Sequence, residues 1–278
     1  MSTYNQTYKE LSIPYFKEAF DIIDEVMTKH HIPYYLIGAS AMALEFLKKG
    51  RKPSRGTKDI DFAIMISTMN QYDNIISSLV DKGFVQIKDT PHRVYNDKYN
   101  LAIDVLPFGE IEQQFTVKFN DRKTELHVLG LSEVLKSPTS VEIENKTLLI
   151  PPLPGMIVLK LVAWSDRPDR RENDLSDILR IMENYFDLEF DEIVEFHNDI
   201  FPEEDLDPLL VSAEVLGRKI KKYLDNSEEL SVRINHVISE NIQNSKTSII
   251  AREWAIKKDT DINYMFDVLK VFYRGFTS

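Results

Sequence analysis

The spacing of apolar residues changes along the chain, and each change predicts a new element. Over residues 14–30, apolar side chains recur every three or four positions, which is the period of one face of a helix. The short apolar stretch 34–37 predicts a strand, and the helix formers over 40–49 predict a helix that Gly50 ends. The chain is therefore predicted to open with helix, strand and helix.

Between residues 60 and 150 the pattern is mostly that of strands. We predict strands over 60–66, 84–87 and 101–106, weaker strand signals at 115–128 and 141–149, and an amphipathic helix over 70–81. Residues 93–97 are expected to pair with the strand at 101–106 through a turn at 97–100.

The proline-rich segment 151–154 marks a change in organisation, because proline stops a strand and sets up a new helix. Beyond it the spacing predicts helices at 156–164, 172–186, 189–198, 205–224, 228–243 and 247–275. We therefore predict a mixed α/β domain over 1–150 and a helical domain over 151–278.

Composition narrows the possible functions. The chain has 278 residues and is 43% hydrophobic, which is enough for a sizeable core. It contains no cysteine, which excludes disulfides, zinc–thiolate sites and cysteine nucleophiles. No apolar run approaches the ~20 residues that span a membrane, and the first residues lack the pattern of a signal peptide. We expect a cytoplasmic protein that does not act in a membrane.

Charge is unevenly distributed along the sequence. The net charge of -11 divides into -2 over residues 1–150 and -9 over 151–278. Within the nearly neutral part, six basic residues lie within eleven positions: Lys48, Lys49, Arg51, Lys52, Arg55 and Lys58. Such a run is ordinarily a solvated loop, and its position directly before two aspartates makes an anion-binding segment an equal alternative.

Those two aspartates, Asp59 and Asp61, begin an otherwise apolar strand. Residues two apart in a strand point to the same face, so both carboxylates are expected to project together. Asp104 lies in a similar strand context. If the two strands are neighbours, three carboxylates converge at one edge of a sheet, an arrangement that can hold two Mg²⁺ ions against a nucleoside triphosphate.

The segment Gly38-Ala39-Ser40 lies between a predicted strand and a predicted helix. The N-terminus of a helix offers unpaired N–H groups and a partial positive charge, which suit phosphate. Gly38 would permit close approach of the backbone, and Ser40 could donate its hydroxyl to a ligand or cap the helix. The alternative is an ordinary capped turn.

The helical half contains further polar candidates. Lys160 lies inside an apolar helix, where it either extends along the surface to solvent or reaches a site. Asp174 and Asp177 are three residues apart and share one helix face, which is either a polar face or part of a site.

Taken together, these residues resemble the nucleotidyltransferase superfamily that includes DNA polymerase β. The matching segments are Gly38-x-Ser40, Arg55-x-Thr57-x-Asp59-Ile60-Asp61-Phe62 and Ile103-Asp104-Val105. A second set resembles the AbiE-type toxin branch: Leu159-Lys160-Leu161-x-Ala163, Arg167 and Asp174-x-x-Asp177-Ile178. The resemblance covers about residues 34–185.

The resemblance implies an α+β fold, in which a mixed β-sheet with packed helices carries the acids and a helical C-terminal domain follows. It implies that Asp59 and Asp61 hold Mg²⁺, with two ions expected. Asp104 would complete one metal site and help to activate the attacking group.

The remaining roles are implied in the same way. Gly38 and Ser40 would bind the β- and γ-phosphates, and Arg55 and Thr57 would support the nucleotide-binding loop. Lys160 would reach the triphosphate or the transition state. Asp174 would be a further essential acid, or would orient Lys160 together with Asp177.

The implied reaction moves a nucleoside monophosphate from ATP or another triphosphate to an acceptor hydroxyl. For the toxin branch the acceptor would be RNA, in particular a tRNA 3′ end, and the partner an antitoxin in a toxin–antitoxin or phage-defence system. Two alternatives stay open. The acceptor could be a small molecule or a protein, with the acidic half suiting a cationic one, or the chain could bind a nucleotide or partner without catalysis.

Overall fold

In the computed structural model, the structure describes residues 8–11, 13, 15–51, 59–119, 123–144, 146–202 and 205–278. The chain divides into two compact units, Met1–Pro152 and Leu153–Ser278. The division falls within the proline-rich segment, where two prolines precede the first helix of the second unit.

The first unit is organised around a mixed sheet of five strands. Its described strands are β1 (Tyr34–Ile37), β2 (Asp59–Met65), β3 (Val85–Ile87), β4 (Thr90–Asn96), β5 (Leu101–Phe108), β6 (Thr116–Lys118), β7 (Glu125–His127), β8 (Thr139–Ile143) and β9 (Lys146–Ile150). The five-stranded sheet has the order β1-β2-β5-β4-β3. β2 and β5 run parallel and the other neighbours run antiparallel, while β6–β7 and β8–β9 form separate two-stranded ribbons.

Helices accompany this sheet. In the described part of the first unit they are α1 (Phe16–His30), α2 (Gly38–Lys48), α3 (Met69–Asp81) and the short α4 (Leu131–Leu135), preceded by a 3-10 turn at Tyr8–Leu11. α3 begins at a capping box, in which Thr68 accepts from the Gln71 N–H and the Gln71 side chain accepts from the Thr68 N–H. The apolar stripes that predicted α1 and α3 are buried.

The alternation of side chains fixes β2 and β5 in place. Ile60 and Phe62 of β2 and Ile103 and Val105 of β5 are fully buried. Because successive residues of a strand point to opposite faces, the intervening aspartates are directed away from this apolar layer. Burial of one face therefore determines which face carries the carboxylates.

The second unit is helical. Its described helices are α5 (Leu153–Asp166), α6 (Glu172–Leu188), α7 (Phe190–Phe196), α8 (Pro208–Leu224), α9 (Glu228–Asn241), α10 (Ile249–Lys258) and α11 (Ile262–Thr277), with a 3-10 turn at Asn198–Ile200. The Trp254 indole N–H donates to the Leu175 carbonyl at 2.9 Å, and this bond links α10 to α6 within the core. Among the described helices, none has the length and apolar character needed to cross a bilayer.

The α+β prediction is confirmed, with two local differences. The helical run expected over 247–275 is interrupted, because Asp259 adopts a left-handed φ of 50° and Asp261 caps α11 by accepting from the Asn263 N–H at 2.6 Å. α4 was not predicted, because five residues are too few to show a helical period.

Candidate functional site

A row of polar side chains crosses the sheet at the start of β2. Asp61 is paired with Ile37 of β1 on one side and with Asp104 of β5 on the other. Arg93 of β4 is in turn paired with Asp104. Residues directly opposite in neighbouring strands share a face, so the side chains of Asp61, Asp104 and Arg93 lie on one surface. The strands carrying the acids are thus neighbours, which was the condition for their convergence.

Arg93 makes the strongest contacts in this row. Its Nε donates to Asp104 Oδ1 at 2.7 Å and its Nη2 donates to Asp104 Oδ2 at 2.8 Å, a two-pronged ion pair. The same Nη2 lies 3.5 Å from Asp59 Oδ2. One guanidinium therefore links the third acid to the first across β2 and β5.

The electrostatics agree with this geometry. The hydrogen bonds that Arg93 donates to Asp104, together with the charges of Asp104, Asp59 and Asp61, outweigh the effect of burial and raise the pKa of Arg93 above its usual value. The guanidinium is thus a permanent cation that interacts electrostatically with all three carboxylates. We call Asp59, Asp61, Asp104 and Arg93 the carboxylate edge.

Gly38 connects the glycine turn directly to this edge. Its φ is +68°, in the left-handed region, and a Cβ placed on it would collide with Asp61 Oδ2. Glycine is therefore needed at this position twice over, for its backbone conformation and for the space that Asp61 occupies. The first turn of α2 and the second acid lie side by side as a consequence.

Ser40 lies in the first turn of α2 and does not cap it, because the cap position is Ile37, without a side-chain bond. The Ser40 side chain is buried, and its Oγ has no hydrogen-bond partner within the described residues. An unsatisfied buried hydroxyl costs about 1–3 kcal/mol. A ligand that accepted this hydrogen bond at the helix N-terminus would recover that cost.

The donor set fits Mg²⁺ in kind, since hard divalent cations prefer carboxylate oxygens. Two of the acids, Asp104 and Asp59, contact one cation, Arg93. In their present arrangement, however, no three carboxylate or imidazole groups of the described residues gather closely enough to hold a metal ion. Both oxygens of Asp104 are engaged by Arg93 instead.

The basic segment before Asp59 is only partly described. Lys48 Nζ lies 3.4 Å from the Ser140 carbonyl oxygen and 4.0 Å from Glu45 Oε2. Arg55 and Thr57, like Lys52 and Lys58, lie outside the described residues, so their predicted roles stay predictions.

The candidates of the helical unit form a separate cluster within that unit. Lys160 Nζ donates to Asp174 Oδ1 at 2.9 Å and to Asp177 Oδ2 at 2.8 Å. All three side chains are buried. Burial alone would lower the pKa of Lys160, but the two carboxylates outweigh it and raise that pKa above its usual value. We call these residues the helical cluster.

Arg93 is the site residue that sequence reasoning missed. A signal was available: a turn at 97–100 that pairs residue 96 with residue 101 also pairs residue 93 with residue 104. Counting back from the turn would have placed an arginine directly across from the third acid. Only the register of the hairpin makes this arginine different from others in the sequence.

No protein-family model matches the chain, and no curated protein sequence does. Comparison with solved structures gives low-level similarities. The lincosamide antibiotic adenylyltransferase LnuA with bound lincomycin is 16% identical, with a TM-score of 0.38, over 63% of this chain and 95% of that one. An antigenic nucleotidyltransferase-like protein from Paracoccidioides brasiliensis is 14% identical, with a TM-score of 0.41, over 83% of this chain and 94% of that one.

The CCA-adding enzyme of Thermotoga maritima, in complex with tRNA, is 15% identical, with a TM-score of 0.33, over 98% of this chain and 66% of that one. Each of these proteins is named for nucleotidyl transfer or for likeness to it. Because the identities and TM-scores are low, we base the functional proposal on the residues of the carboxylate edge.

Proposed function

We propose that this protein transfers a nucleoside monophosphate from a nucleoside triphosphate to an acceptor hydroxyl. The observation that carries the proposal is the row in which Asp61 lies between the glycine turn at Gly38 and the third acid, Asp104. The row puts a candidate phosphate site, at the start of α2, beside carboxylates that can hold cations.

The two ends of the row have different tasks. Gly38 and Ser40 would bind the β- and γ-phosphates through backbone N–H groups and the buried hydroxyl. Asp59 and Asp61 would hold Mg²⁺, with Asp104 as a third ligand, and three carboxylates suffice for two ions together with triphosphate oxygens. Bound Mg²⁺ would lower the pKa of the attacking hydroxyl and neutralise charge on the leaving pyrophosphate.

The reaction forms one bond and breaks one. The acceptor hydroxyl oxygen attacks the α-phosphorus, and the bond from that phosphorus to the oxygen bridging to the β-phosphorus breaks. Pyrophosphate departs with that electron pair, and the hydroxyl proton passes to a carboxylate, a role that we propose for Asp104. The protein mainly orients the reactants and supplies fixed charge, as in other phosphate transfers.

The acceptor is proposed from the resemblance of the sequence to the AbiE-type toxin branch. On that basis it is RNA, in particular a tRNA 3′ end, and the protein acts as a toxin held in check by an antitoxin. One observation favours a different acceptor: the net charge of -9 on the helical half would attract a cationic small molecule and repel RNA.

The helical cluster enters the proposal in a supporting role. Lys160 is buried and held by Asp174 and Asp177, which matches the option that these acids orient the lysine. For Lys160 to contact a triphosphate, its ammonium would have to leave this ion pair. A direct catalytic role for Lys160 and Asp174 therefore predicts a rearrangement on nucleotide binding.

The test is label transfer from each of the four α-labelled nucleoside triphosphates with Mg²⁺, in the presence of total RNA, protein extract or cationic small molecules. The proposal expects label on one acceptor fraction, lost in Asp61→Asn and retained in Asp89→Asn, an exposed aspartate in the turn before β4. Equal transfer by both variants would exclude this site. Nucleotide binding without transfer to any fraction would favour the non-catalytic alternative.

A further inference from the structure

The carboxylate edge already contains a cation of its own. Arg93 spans Asp104 with two short hydrogen bonds and reaches Asp59 with the same Nη2 atom. Mg²⁺ would need oxygens of these same side chains. A metal ion on Asp104 and the guanidinium on Asp104 would be two cations within contact distance of each other, and they would repel. Mg²⁺ and the Arg93 guanidinium would therefore compete for the oxygens of Asp104.

We propose that Arg93 is a positioning residue: it holds Asp104 and Asp59 together in the metal-free protein and releases Asp104 when metal and triphosphate enter. The inference rests on the proposed function, because it assumes that these acids bind metal for nucleotidyl transfer. Arg93 would thereby set how tightly the carboxylate edge binds divalent cations.

The surroundings of Arg93 allow such a release. Its side chain is 35% exposed, at the end of a long flexible chain on β4. Within the described part of the chain, its ion pairs are the ones to Asp104 and Asp59. A guanidinium with an open path to solvent can leave without the burial cost that a fully enclosed cation would incur.

The charge balance explains why a cation is needed at all. Three carboxylates close together repel one another unless a cation or proton lies between them. In the metal-free protein Arg93 supplies such a charge through its contacts with Asp104 and Asp59. When metal supplies the charge, the guanidinium is no longer required there.

Mn²⁺ binding measures the competition directly. Unbound Mn²⁺ is quantified by its electron paramagnetic resonance signal for the wild type, Arg93→Gln and Arg93→Lys, without nucleotide. The matched control is Arg218→Gln, which removes an equal charge from a two-pronged arginine–aspartate pair with Asp199 in the helical unit. Thermal unfolding of each variant verifies that it is folded.

We expect Mn²⁺ to bind Arg93→Gln about tenfold more tightly than wild type, because one charge-assisted pair no longer competes. Arg93→Lys should fall between them, since it keeps the charge and loses the fork. The gain should disappear when Asp104→Asn is added. Unchanged or weaker binding, an equal gain in Arg218→Gln, or a gain that survives Asp104→Asn would each overturn the inference.

Two further results separate the inference from the function on which it rests. Mn²⁺ binding that depends on Asp61 and not on Arg93 would overturn the role of Arg93 alone, whereas absence of binding in every variant would overturn both. If Arg93→Gln does not fold, the Arg93 Nε–H resonance of the ¹⁵N-labelled wild type gives the answer. It should move when Mg²⁺ and triphosphate are added, and an unmoved resonance would contradict release.

Discussion

The carboxylate edge and the helical cluster each contain a cation that bridges two aspartates, and these two cations differ in how far water reaches them. At the carboxylate edge the Arg93 side chain is 35% exposed and Asp59 is 47% exposed, while Asp104 is 13% exposed. In the helical cluster Lys160 is 8% exposed and Asp177 is 6% exposed. The partly exposed Arg93 can therefore exchange ion-pair partners, whereas the buried Lys160 is held in its ion pairs.

This difference in exposure predicts different roles for the two regions. Exposed ion pairs contribute about 0–1 kcal/mol to stability, which applies to the contact of Arg93 with Asp59, whereas the two-pronged pair with Asp104 is the stronger of the two. Removing one member of a buried pair costs about 3–5 kcal/mol, because the other charge is left without compensation. We therefore expect the carboxylate edge to rearrange more readily, and the helical cluster to stabilise the packing of α5 against α6.

Asp61→Asn should give the largest effect, which is a loss of transfer with little loss of stability. It removes charge beside the glycine turn, and transfer should fall on the order of 10³-fold, as expected when a group that stabilises transition-state charge is lost. Its unfolding temperature should stay within a few degrees of wild type. The measurement is a transfer rate paired with a melting curve, with Asp89→Asn as control. A large fall in stability with no fall in rate would reverse the assignment.

For Lys160→Met we expect the opposite result, in which stability falls more than transfer does. Two buried carboxylates lose the ammonium that donates to both of them, so the free energy of unfolding should fall by about 3–5 kcal/mol. Because the pKa of Lys160 is raised, this contribution is fully present below the ordinary lysine pKa of 10.5, and it is lost as pH rises through the raised value. Urea unfolding at neutral pH measures the full effect.

The matching rescue is the triple change Lys160→Met, Asp174→Asn and Asp177→Asn. It also neutralises the two carboxylates that lost the ammonium and should recover most of the loss. If Lys160→Met left stability unchanged and abolished transfer, the cluster would be catalytic and not a scaffold.

A smaller effect tests the contact between the turn and the second acid. Gly38→Ala and Gly50→Ala both place a Cβ at left-handed φ, +68° and +76°, and each should cost about 1–2 kcal/mol for that reason. At Gly50 none of the described residues lies within 4 Å of the new Cβ, whereas at Gly38 the new Cβ meets Asp61. Only Gly38→Ala should also slow transfer. Equal behaviour of the two variants would show that the contact has no functional weight.

The smallest expected effect is that of salt. Raising ionic strength from ~0.1 M to ~1 M shortens the screening length from about 10 Å to about 3 Å, which weakens partly exposed pairs much more than buried ones. The stability difference between wild type and Arg93→Gln should shrink with salt, while that of Lys160→Met should hold. A salt-sensitive Lys160→Met would mean that water reaches the helical cluster.

Sequence spacing predicted the elements that bury one face. The stripe of α1 and the alternation around Phe62 and Val105 are short-range patterns, and hydrophobic burial obeys them. Asp259 shows where such reasoning fails: an apolar period continues on both sides of it, and a single left-handed residue redirects the chain. The backbone conformation of one residue does not change the spacing of apolar residues, so this spacing could not predict the break.

In the candidate site, too, the short-range patterns were predictable and the long-range contacts were not. Asp59 and Asp61 share a strand, so their common face was predictable, and the neighbouring position of Asp104 required only that two strands pair. The partner of Asp104 was not found, because Arg93 becomes significant only through the register of a hairpin. The burial of Lys160 between two acids likewise depends on how α5 and α6 pack, which no local pattern contains.

The central claim is that the carboxylate edge transfers a nucleoside monophosphate, and a dual-label assay tests it most directly. The triphosphate carries one isotope at the α-phosphorus and another at the γ-phosphorus, and wild type is compared with Asp61→Asn and Asp89→Asn. The account predicts the α-label on the acceptor and the γ-label in pyrophosphate, for wild type and Asp89→Asn only. The γ-label on the acceptor, or transfer undiminished in Asp61→Asn, would contradict it.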